Sequence, residues 1–132
     1  NRLETKSIQE RTNQYSEAVS IFKKQPLWGV GPGMYTYAMY KNNSTLRSWD
    51  YQPIHNIYAL MLVEVGIIGS LVYFFIWGWL IRRIWKNNIL FFPVILTLLV
   101  TGLFEHWQWS LFTGVVMWWV VIGMSVSDST ST

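Results

Sequence analysis

A run of 25 residues, Ile57 to Ile81 (IYALMLVEVGIIGSLVYFFIWGWLI), apolar but for Glu64 and Ser70, leaves this chain few places to fold other than a lipid bilayer. About 20 such residues cross the hydrocarbon core as a helix, and a helix satisfies every backbone group internally, as lipid demands. Directly before the run stands His55-Asn56, and nine residues later comes Gly66-Ile67-Ile68-Gly69. A polar pair therefore sits at the mouth of an expected membrane helix. Glu64 lies two turns further in, roughly 10 Å deeper at ~1.5 Å per residue. An ionisable group at that depth costs about 2.5–3.5 kcal/mol on insertion scales, so it reads as a functional position.

Composition agrees with a membrane setting. The chain is 52% hydrophobic and only 13% charged, against about 25% charged in ordinary globular chains. Nine Trp, seven Tyr and seven Phe suit the belts where amphipathic rings rest at headgroup level. The absence of Cys removes disulfides, thiolate catalysis and Cys-based zinc sites. A net charge of +3, with its basic residues scattered or near membrane ends, carries no nucleic-acid footprint. Asn1 to Glu10 is polar and is no cleavable signal peptide. A membrane protein that opens in a loop reads as the C-terminal part of something larger.

The expected architecture is all-α: an α-helical polytopic membrane fragment with an external loop over residues 1–54 and three transmembrane helices within 55–132. The loop holds seven of the ten Lys and Arg residues. Ser7 with Glu10 makes a capping box, and Ile8, Arg11, Tyr15, Ala18, Val19 and Phe22 recur at helical spacing. An amphipathic helix is expected at about 7–24, stopped by Pro26, with a short helical turn over Met34 to Tyr40. Between them lies Trp28-Gly29-Val30-Gly31-Pro32-Gly33, whose glycines permit close backbone approach. The spans are expected at about 57–81, 89–104 and 110–124. Arg82-Arg83-Ile84-Trp85-Lys86 puts its loop in the cytoplasm by the positive-inside rule. Residues 1–54 and the turn Glu105-His106-Trp107-Gln108-Trp109 then face outside, and the tail from Ser125 ends inside.

Few side chains can carry chemistry. Arg11, on the apolar stripe of its helix, either snorkels at a membrane surface or grips phosphate, since its planar fork donates two parallel hydrogen bonds. His55 titrates near neutral pH and suits a general base. Asn56 either orients it, binds a sugar hydroxyl, or caps the helix. His55 and Glu64 fall on opposite sides of a helix, and Glu105-His106 matches no metal motif, so no metal site is expected. Gly66 and Ser70, with Ala59 two turns earlier, read as a small-residue ridge for helix packing. Gly31-Pro32-Gly33 is a weak phosphate cradle.

Taken in order, Arg11 on an amphipathic helix, Pro26-Leu-Trp-Gly-Val-Gly-Pro-Gly33, His55-Asn56-x9-Gly66-x-x-Gly69 and Gly102-Leu-Phe-Glu-His106 resemble the O-antigen ligase and polymerase superfamily. These are bacterial inner-membrane glycosyltransferases of the GT-C type. The resemblance implies an undecaprenyl-pyrophosphate-linked glycan donor, a glycan, lipid or protein acceptor, and no cofactor. It implies that Arg11 holds the pyrophosphate and His55 activates the acceptor hydroxyl. Asn56, Glu64, Gly31, Gly33, Glu105 and His106 are the expected substrate contacts. Family members have about a dozen spans, so these three alone are expected to be inactive. A transporter or channel subunit with Glu64 lining a polar pathway is the competing reading; it would favour ionisable groups in several helices, which spans two and three lack.

Overall fold

The computed structural model describes residues 2–127, and all its regular elements are helices. They are α1 (Arg2–Phe22), α2 (Tyr35–Asn42), α3 (Ile57–Asn87), α4 (Phe92–Thr101), α5 (Trp107–Ser110) and α6 (Phe112–Val126), with 3-10 turns at Ser48–Asp50 and Ile89–Phe91. Helix α1 begins at Arg2, five residues before the expected start, which makes Ser7 an interior position rather than a cap. The side chains of the expected Ser7–Glu10 box lie outside the described residues. Among the described side chains of α1, Ala18 and Ile21 are buried, while Tyr15 and Val19 are about half exposed.

The main departure from the expected architecture is inside α3. Gly66 has φ 68 and ψ −171, a region open essentially to glycine alone. It divides the helix into an N-terminal arm, 57–65, and a C-terminal arm, 67–87. An unbroken helix would bond the amide of Ile67 to Val63 and that of Ile68 to Glu64. The loop after α1 takes over all four orphaned groups. Val30 N donates to the Val63 carbonyl at 3.0 Å and Gly31 N to that of Glu64 at 2.8 Å; Ile67 N donates to Pro26 O at 2.9 Å and Ile68 N to Leu27 O at 3.2 Å. The Pro26–Gly31 motif and the Gly66-x-x-Gly69 motif are thus two halves of one backbone joint. Gly66 and Ser70 do not form the expected ridge for a second helix: a loop backbone sits against Gly66, and the Ser70 hydroxyl donates to its carbonyl at 2.7 Å.

The two arms fold towards each other. Tyr58 and Phe74, eight positions either side of Gly66, stack with ring centroids 6.1 Å apart. In a straight helix residues so spaced would stand about 24 Å apart. Glu64 therefore lies at the vertex of a V rather than two turns down a rod. Each arm has its own core. Ala18, Ile21, Tyr35, Met39, Ile54, Leu60 and Val63 gather α1 and α2 on the N-terminal arm. Trp77, Leu80, Ile84, Ile95 and Trp118 join the C-terminal arm to α4 and α6.

Among the described residues, Ile57–Lys86 is the one stretch long and apolar enough to cross a membrane, while Ile89–Thr101 and Phe112–Val126 are shorter apolar helices. The C-terminal arm alone, at ~1.5 Å per residue, is about 30 Å long. It carries an exposed apolar face of Ile67, Ile68, Leu71, Val72, Phe75, Ile76 and Trp79.

Candidate active site

Asn56 is the mechanical centre of the site. Its extended backbone (φ −161, ψ 112) caps α3, with its side-chain oxygen accepting from Ala59 N. Its amide nitrogen donates to Tyr15 Oη on α1 and to the carbonyl of Leu103, both at 3.2 Å. Ile57 N donates to Gly102 O at 2.8 Å. One asparagine and its neighbour thus join the first helix, the mouth of the broken helix and the turn that follows α4. Of the expected roles for Asn56, the geometry adopts the cap, and adds a cross-link.

That joint brings His55, Glu105 and His106 together from positions 50 residues apart. His55 Nδ1 lies 3.4 Å from Glu105 Oε2, with both side chains about half exposed. The His55 ring packs on that of His106 at 5.1 Å between centroids and 56°. His106 Nδ1 in turn lies 2.6 Å from Ser110 Oγ. Partial burial is the main cause lowering the His106 pKa below its usual value, and the His55 ring beside it adds to this; Glu105 opposes it. Burial thus acts on the His106 imidazole, while His55 is the one that faces a carboxylate. Among the described residues no three His, Cys, Asp or Glu side chains converge as a metal ion requires.

Arg11 is exposed on α1. It stands one turn, ~6 Å along the axis, before Tyr15, which Asn56 fixes to the site. The other expected contacts are placed elsewhere. Glu64 is 3% exposed, and both its oxygens are engaged: Oε1 accepts from Tyr35 N at 3.3 Å and Oε2 from Trp109 Nε1 at 2.7 Å. Gly31 (φ 107) spends its amide on the joint at Gly66. Gly33 (φ 73) has open space where a Cβ would be.

Between the arms of the V lies a cavity of about 520 Å³, walled by Leu60 and Glu64 from one arm, Tyr73, Trp77 and Leu80 from the other, and Trp109, Trp118 and Trp119. Gly33, Gln108 and Ser110 also face it. Ser110 is thus shared between the cavity and His106. Gln108 is 3% exposed; its amide nitrogen donates to Leu98 O and Thr101 Oγ1, while its Oε1 is buried without a partner.

Tyr15, Ser110, Gln108 and Gly29 were not singled out by the sequence reading as site-building residues. For Tyr15 and Ser110 a signal existed: each stands four residues from a chosen candidate, Arg11 and His106, one helical turn away. Nothing local announces Gln108 or the pairing of Gly29 with Gly66.

No curated protein and no solved structure matches this chain. The sequence pattern described as O-antigen ligase matches residues 1–74. That stretch runs from α1 through both halves of the Gly29–Gly66 joint, takes in Arg11, His55, Asn56 and Glu64, and ends in the C-terminal arm. The match covers more than half of a helical chain with a membrane-length apolar helix, and the chain belongs to the O-antigen ligase family.

Proposed function

We propose that the protein transfers a glycan from an undecaprenyl-pyrophosphate carrier to an acceptor hydroxyl at the outer face of the bacterial inner membrane, with His55 as general base and Arg11 on the pyrophosphate. The acceptor oxygen attacks the anomeric carbon and the bond from that carbon to the pyrophosphate oxygen breaks. The acceptor proton passes to Nε2 of His55, and the carrier leaves as the lipid pyrophosphate. Pyrophosphate is already a good leaving group, so positioning and charge stabilisation suffice without a covalent intermediate. In this reading residues 1–54 and the Glu105-His106 turn lie outside, and Arg82–Lys86 lies in the cytoplasm.

The observation that supports this most is the three-way joint at Asn56. It locks the helix of Arg11 and the turn of Glu105 onto the residue next to His55. A cation suited to phosphate and a base suited to a hydroxyl are thereby carried on elements tied together at one point. The aromatic cavity beside Ser110 would take the apolar chain of the carrier. A pathway lined by Glu64 draws no support from a carboxylate whose two oxygens are both held by Tyr35 and Trp109.

Arg11 provides the test. In the full-length enzyme, assayed with a polyprenyl-pyrophosphate glycan in detergent, Arg11→Ala should weaken donor binding. Arg11→Lys should recover only part, because a point charge lacks the bidentate fork. Donor affinity unchanged in Arg11→Ala would remove Arg11 from the site.

A further inference from the structure

We propose that Glu105 is the positioning residue of this reaction: it accepts the Nδ1 proton of His55 and so leaves Nε2 bare and aimed at the acceptor. This rests on the reading of His55 as the base. A neutral imidazole carries one ring proton, and the partner of one nitrogen decides which nitrogen is free. His55 Nδ1 faces Glu105 Oε2 at 3.4 Å. A carboxylate can only accept, so Nδ1 must be the protonated nitrogen and Nε2 the one able to take a proton. The separation exceeds the ~2.7–2.9 Å of a charge-assisted bond, as is common in free enzymes before substrate tightens the site.

The mounting of Glu105 argues against a chance surface pair. Exposed ion pairs are usually held by two mobile side chains and contribute little. Here the backbone behind the carboxylate is fixed to the backbone behind the imidazole. Gly102 O accepts from Ile57 N at 2.8 Å, Leu103 O accepts from the Asn56 side chain at 3.2 Å, and Glu105 N closes its own turn on Thr101 O at 3.1 Å. The ring of His106 packs against His55 at 5.1 Å, confining it from another side. Glu105 has a second use once the proton has moved, since its charge then sits opposite an imidazolium.

The experiment compares Glu105→Gln and Glu105→Asp in the full-length enzyme, reading kcat and KM for the donor together with the 15N imidazole shifts of His55. Glu105→Gln should lower kcat by about 10²-fold, the lower end of what a positioned base contributes, with donor KM unchanged. The His55 resonances should move from the Nδ1–H form towards a tautomer mixture. Glu105→Asp keeps the charge and should recover part of kcat and the Nδ1–H signature. A purely structural role would lower thermal stability and leave the tautomer untouched. Wild-type kcat in Glu105→Gln, or an unchanged tautomer, overturns the inference. His55→Ala separates the two levels: if it still turns over, the base assignment itself fails, whereas an inactive His55→Ala beside a fully active Glu105→Gln sinks only the role of Glu105.

Discussion

Gly29 and Gly66 meet backbone to backbone. A Cβ built on Gly29 would lie 2.4 Å from the carbonyl oxygen of Glu64, and one on Gly66 would lie 2.3 Å from that of Leu27. Neither neighbour is a flexible side-chain tip that could swing away, and both glycines have positive φ, 70 and 68. The break in α3, the V of its arms and the cavity between them all rest on this contact.

Gly66→Ala and Gly29→Ala should therefore each destabilise the folded protein well beyond the ~1–2 kcal/mol of left-handed strain alone. Gly33→Ala, with the same sign of φ but nothing within 4 Å, should cost only that strain. Gly78 lies within the C-terminal arm with open space at its Cβ, and alanine there should be neutral or slightly stabilising. Thermal unfolding in detergent should rank Gly78→Ala above Gly33→Ala, and both above the two joint variants. Equal melting temperatures for Gly33→Ala and Gly66→Ala would contradict the joint.

Glu64 is expected to hold the vertex through both of its oxygens rather than to take part in the chemistry. In Glu64→Gln one of the two donors, Tyr35 N–H or Trp109 Nε1–H, faces an amide NH2 and goes unpaired, a loss of about 1–3 kcal/mol for a buried group. Because Trp109→Phe removes the other end of the same bond, the two substitutions should be less than additive in a double-mutant cycle. Strict additivity would mean that the carboxylate and the indole are not coupled.

The pH response of the mouth follows from His106. Its pKa is lowered in the folded protein, mainly by burial, so the folded state binds its proton less readily than the unfolded chain. The structure around it is at full strength above the unfolded value of about 6.5 and weakens as pH falls through that value towards the folded one. Replacing His106 with Gln should flatten this acid-side loss of stability. Titration of His106 followed by NMR should give a midpoint below 6.5, and a midpoint above it would reverse the sign.

Orientation can be read independently of activity. Cysteine placed at exposed Asn43 should react with an impermeant thiol reagent in whole cells, and cysteine at exposed Lys86 should not. The opposite pattern inverts the proposed topology.

What the sequence made legible was what is periodic or local. The apolar run from Ile57, the amphipathic pattern about Ala18 and the capping chemistry of Asn56 could all be read from spacing. The break at Gly66 could not. Its four hydrogen bonds join residues 26–31 to 63–68, and a glycine followed four residues later by a serine reads equally as a packing ridge. Glu64 was legible as a costly buried charge, but its partners Tyr35 and Trp109 stand 29 and 45 residues away. The pairing of His55 with Glu105 was out of reach for the same reason. Each residue was visible as a candidate, but only the turn closing on Asn56 sets them side by side.

The most direct measurement is turnover of His55→Ala in the full-length, membrane-inserted enzyme, with donor binding followed in parallel. Glycan transfer should be lost with lipid-linked donor binding largely retained, since the base acts on the acceptor and the cation on the donor. Near-normal transfer by folded His55→Ala protein would contradict it, and would shift the chemistry to His106 and Ser110.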